Sequence, residues 1–113
     1  MTKYLISFPG PAMDVPDEEM SAVGDAAAAV IKEAQDAGVY VYGGGIDEGV
    51  APVVVGVDGA VTEGAYPQHE QLSGGFTILE LPSREAALEW AHKIAVACRC
   101  GQEVREFMYD PRS

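Results

Sequence analysis

A chain of 113 residues, 48% hydrophobic and 22% charged, has the length of one domain and the balance of a folded globular protein rather than a disordered one. Its 18 acidic against 7 basic residues give a net charge of −11, a field that repels phosphate backbones and anionic membranes and argues against nucleic-acid binding. No run approaches the roughly 20 apolar residues of a membrane span, so a single domain over residues 1–113 that neither crosses nor coats a membrane is expected.

The opening run Lys3–Phe8 (KYLISF) is apolar and stops at Pro9, Gly10 and Pro11, which predicts a strand followed by a loop. It is too short for a signal-peptide core. Pro16 suits the first turn of a helix, where Asp17, Glu18 and Glu19 meet the positive end of the dipole. Met20, Val23, Ala27, Val30, Ile31 and Ala34 follow at helical spacing, and Gly38 is placed to end the helix in a left-handed cap. Val39–Tyr42 (VYVY) predicts a second strand with Tyr40 and Tyr42 on one face, and Gly43, Gly44 and Gly45 after it fit a bulge or turn.

Val53–Val57 and Ala60–Thr62 flank Asp58 and Gly59, a dipeptide that supports a two-residue hairpin turn. A polar loop over Glu63–Ser73 leads to a strand at Gly75–Leu81 (GFTILEL), which Pro82 stops. Ser83 is a good N-cap for a second helix whose apolar stripe is Ala87, Trp90, Ala91, Ile94 and Ala97. Gly101 precedes a last strand near Glu103–Met108, and a polar tail follows Tyr109. Cys98 and Cys100 are too close in sequence to bridge without strain, which fits a reducing compartment and a cytoplasmic protein.

The order strand, helix, strand, hairpin, strand, helix, strand predicts a ferredoxin-like α+β sandwich, an antiparallel sheet with two helices on one face. The strands are apolar on both sides: Tyr4, Ile6 and Phe8 alternate with Leu5, and Phe76 and Ile78 alternate with Leu79 and Leu81. A large bare apolar face is uncommon on a monomer, so a cyclic homodimer is expected to cover it.

His69, with Glu63, Tyr66 and Glu70 nearby in sequence, is the best acid–base set available. A histidine titrates near neutrality, a carboxylate holds its tautomer, and the Tyr66 phenol can bond a carbonyl or enolate oxygen. An ordinary exposed loop histidine fits the same residues. Asp47, after the glycines, and Tyr40 and Tyr42 are candidate ligand contacts, since glycine lets a backbone approach a ligand closely. His92, Cys98 and Cys100 supply too few ligands at the wrong spacing for zinc, so neither a metal nor a cofactor is expected.

In order and spacing these segments resemble the YCII-related proteins, in particular the group named for an Asp-Gly-Pro-Phe (DGPF) signature. The resemblance runs from KYLISF through Pro16, Glu18, Glu19 and Met20, then Ala37–Val39 leading to the three glycines. It continues through Val57, Asp58 and Gly59, then Gly74, Gly75 and Phe76, the run Glu85–Ala91 (EAALEWA), and Val104 and Arg105. In place of the signature stand Glu63, Gly64, Ala65 and Tyr66: the acid and the aromatic survive and the proline does not. The first-helix histidine suggested as catalytic in some members has no counterpart here.

The resemblance implies a dimeric α/β barrel with a pocket between sheet and helices, and for some relatives a link to extracytoplasmic-function sigma factors. Two functions therefore stand as expectations. One is a homodimeric ligand-binding or interaction module that takes a small hydrophobic ligand or a sigma factor. The other is a cofactor-free enzyme using His69 and a carboxylate on a small hydrophobic carbonyl or lactone compound.

Overall fold

The computed structural model describes residues 1–67 and 72–113. Four strands, β1 (Thr2–Phe8), β2 (Tyr40–Gly45), β5 (Gly75–Leu81) and β6 (Glu103–Glu106), form an antiparallel sheet in the order β2-β5-β1-β6. Helices α1 (Met20–Asp36) and α2 (Arg84–Cys98) pack on it. Two helices against a sheet of this order make the ferredoxin-like α+β fold that the element order predicts. A separate hairpin, β3 (Val53–Val55) with β4 (Val61–Glu63), is inserted between β2 and β5. Among the described residues no helix is long and apolar enough to cross a membrane.

The core lies between the helices and one sheet face. Tyr4, Ile6, Leu79 and Leu81 meet Ala34 of α1 and Ala87, Ala91, Ile94 and Cys98 of α2. Ile6, Leu79 and Leu81 are fully buried, each contributing about 1.5–3 kcal/mol. Small alanines on both helices let them approach the sheet closely, and Trp90 packs against the cluster as its place on the stripe predicts.

The end of α1 and the start of α2 fall where their residues dictate. After α1, Gly38 takes a φ of 75°, its N–H donates to the Gln35 carbonyl at 3.0 Å, and that of Val39 to the Ala34 carbonyl at 3.1 Å. This paired arrangement is what a glycine just past a helix allows. Ser83 caps α2, its Oγ accepting from the Ala86 N–H at 3.2 Å. Arg99 ends α2 with a φ of 59°, a left-handed conformation on a side chain that also bonds Glu19.

Three boundaries differ from expectation. Strand β2 continues through Gly45, and its irregularity falls earlier, at Val41, between the pairs Tyr40 with Leu79 and Tyr42 with Ile78. This bulge puts Tyr40 on the helix face and Tyr42 on the open face, so the two tyrosines do not share a side. The hairpin turn is longer than two residues: Val55 pairs with Val61, Gly56 donates to the Ala60 carbonyl at 2.8 Å, and Asp58 Oδ1 accepts from the Ala60 N–H at 3.0 Å. The Asp58 carboxylate thus organises a wider loop than its dipeptide predicts. Strand β6 stops at Glu106, although the Phe107 N–H still reaches the Lys3 carbonyl at 3.0 Å.

Candidate functional site

On the helix face the sheet is built in cross-strand rows. At one end Tyr4, Leu79 and Tyr40 lie side by side, and in the middle Ile6, Thr77 and Gly43. At the other end the row is Phe8, Gly75 and Gly45. The first row fills the space beneath the helices. The last has one side chain in three positions.

Gly75 is bare because Phe8 lies across it: a Cβ there would come within 2.7 Å of the ring. Its neighbour Gly74 is under a stricter demand, with a φ of 80° and the Phe8 carbonyl oxygen where a Cβ would stand. Opposite this end α1 presents Gly24 and Ala27, and a Cβ on Gly24 would meet nothing within 4 Å. Small residues thus face one another across the layers, leaving an open groove-like cavity of about 340 Å³. Phe8, Met13, Met20, Val23 and Ile31 supply apolar walls, with Ile94 beneath.

Its polar lining consists of Thr77, Cys98 and Gln102, and among the described residues no charged one lines it. Gln102 is held in place by its Nε2, which donates to the Cys100 carbonyl at 3.3 Å. Burial, and secondarily the neighbouring Cys100, pushes the Cys98 thiol pKa up, so it remains a neutral, weak donor. An uncharged apolar cavity with a few neutral polar groups has the make-up of a small-molecule site. Its lining offers a bound ion no charged partner among the described residues.

Those residues singled out from sequence that the structure describes lie elsewhere. Asp47 and Tyr66 come together in an open cleft of about 930 Å³ at the root of the hairpin, walled by Ile46, Val50, Pro52 and Leu72. There Asp47 Oδ1 accepts from the Gly49 N–H at 3.0 Å, which closes a local turn. Glu63 sits on β4 opposite Val53, exposed and outside the cleft lining. His69 and Glu70 lie outside the described residues. Tyr40 packs against the core, Tyr42 is exposed on the open face, and the two do not converge with Asp47 on one site.

Sequence reasoning passed over Gly24, Thr77, Gln102 and Met13 because none carries a chemical signal alone. The available clue was Gly24 inside an otherwise strong helical pattern. A glycine there weakens a helix by about 1 kcal/mol relative to alanine and implies a packing or functional reason.

The YCII-related domain matches residues 5–108 of the chain. No curated protein matches it.

Proposed function

The chain belongs to the YCII-related family, and on that premise we propose that it is a small homodimeric module that binds a neutral apolar molecule between α1 and the glycine end of the sheet. The observation that carries this reading is the uncharged cavity of about 340 Å³ in a protein whose net charge is −11. Such a volume is at the small end of ligand pockets, which run from roughly 300 to 1,000 Å³. The apolar walls provide affinity through burial, and the Thr77 hydroxyl and Gln102 amide are the groups available to orient one carbonyl or hydroxyl. The homodimer is supported by the open sheet face, where among the described residues no layer covers Leu5, Val41, Phe76 and Ile78.

The test uses prodan, a neutral naphthyl ketone whose emission shifts to the blue in apolar surroundings. The wild-type protein is expected to give saturable, blue-shifted emission. In Gly24→Leu a side chain enters the open space above the glycine row, and binding is expected to weaken at least ~10-fold with helix content unchanged, since leucine is the better helix former. Equal binding by Gly24→Leu and wild type would place the ligand elsewhere.

A further inference from the structure

The polar side chains of the cavity differ in what they can offer a ligand. The Thr77 hydroxyl rotates and either donates or accepts, and the Cys98 thiol is a weak donor. An amide is different, because its donor and acceptor ends are fixed to one planar group. Which end of Gln102 is free therefore decides which ligand the cavity prefers.

The end of α2 sets that orientation. From its left-handed conformation the Arg99 N–H donates to the Ala95 carbonyl, and the Cys100 N–H reaches the same carbonyl at 3.2 Å. Cys100 is thus pinned to the last turn of the helix, and its side chain packs against the core. Gln102 Nε2 lies 3.3 Å from the Cys100 carbonyl oxygen and 3.7 Å from its Sγ. A carbonyl oxygen accepts and never donates, so turning the amide end for end would set oxygen against oxygen. The donor end is committed to Cys100. Among the described residues nothing donates to Gln102 Oε1, the acceptor end.

The register explains why this half-buried side chain lines the cavity. Ser7 pairs with Glu103, so Gln102, the residue before, comes level with Phe8. It shares a face with Val104, which packs against the core. Thr77 is on β5, two strands from β6, about 10 Å across the sheet. The two residues therefore mark separate points of the lining.

We propose that the ligand is a neutral apolar alcohol or phenol, whose hydroxyl donates to Gln102 Oε1, in preference to a ketone or an ether. The proposal rests on the binding reading above and names the class of molecule that the same cavity takes. A ligand that covers Oε1 strips water from it, and one without a donor leaves that carbonyl unsatisfied in apolar surroundings. A hydroxyl restores the lost bond. An ammonium would also donate, but its charge meets no carboxylate among the described lining residues.

The experiment compares 2-naphthol with its methyl ether, 2-methoxynaphthalene, as competitors for bound prodan at neutral pH, where the naphthol is uncharged. The ether is the more apolar of the two, so burial alone favours it. Wild type is expected to bind the naphthol at least ~5-fold more tightly, the size of one net hydrogen bond. Gln102→Met keeps a side chain of similar length and removes the acceptor. With helix content unchanged, it is expected to lose the preference and to bind the ether as wild type does. Equal binding of both compounds by wild type, or a preference that survives in Gln102→Met, would overturn the hydroxyl assignment. The cavity reading would still stand if Gly24→Leu weakened both compounds. Naphthol and ether that bind Gly24→Leu as tightly as wild type would remove the cavity reading and this proposal with it.

Discussion

Cys98 sits at the end of α2, buried in the core and at the wall of the cavity. Its sequence position, at the end of an apolar stripe, already marks it as a small hydrophobe rather than a ligand. Because burial raises its pKa above the ordinary value of 9.0, the folded protein favours the neutral thiol. That contribution is fully present below the unfolded pKa and is lost as pH rises through the higher folded one. Urea midpoints are therefore expected to fall between about pH 8 and about pH 10. Cys98→Ala should flatten that fall without abolishing it, since burial raises the Cys100 thiol pKa above its ordinary value as well. Parallel slopes in wild type and Cys98→Ala would show that the thiol is as hydrated folded as unfolded.

Among the elements, the start and apolar stripe of α2 were legible because those signals are local, whereas its end at a left-handed Arg99 was not. Ser83 takes the extended conformation of an N-cap and accepts from Ala86 at 3.2 Å, and the buried stripe is the one its spacing predicts. Ser83→Ala is expected to lower stability by about 1 kcal/mol in chemical denaturation, since it strands a first-turn N–H. A change below ~0.3 kcal/mol would mean that solvent satisfies that donor equally well. Strand β2 was legible only in part. Tyr-Val-Tyr alternates with a period of two, and nothing local to it reveals that β5 skips a partner at Val41. A bulge belongs to a pair of strands, so a single strand's pattern cannot announce it. That shift sends Tyr42 to the open face, Tyr40 to the core and Gly45 to the cavity row. The groove beneath α1 was not legible for the same reason: it arises from which small residues face one another across layers, and the acid–base residues in the loop carried a louder chemical signal.

At the scale of the whole molecule, a slab only 20 Å through its thinnest dimension accounts for two layers, one sheet and one layer of helices. Among the described residues the open face lacks a third. On it Lys3 faces Glu80 at 3.6 Å and Arg105 lies 3.1 Å from Glu103, so its few charges are already paired within the chain. In the proposed homodimer, apolar contact rather than ion pairing across the seam then holds the two copies together. Their net charges oppose it, because each brings −11 to a shared interface. Salt screens that repulsion, with a Debye length that shrinks from about 30 Å at 0.01 M to about 10 Å at 0.1 M, and leaves apolar burial intact. The dimer is therefore expected to tighten ~10-fold or more between about 0.01 M and about 0.3 M sodium chloride, read as a falling dissociation constant in sedimentation equilibrium. An interface carried by salt bridges would respond with the opposite sign. Dimers that loosen as salt rises would reassign the contact from the apolar open face to the charged rim.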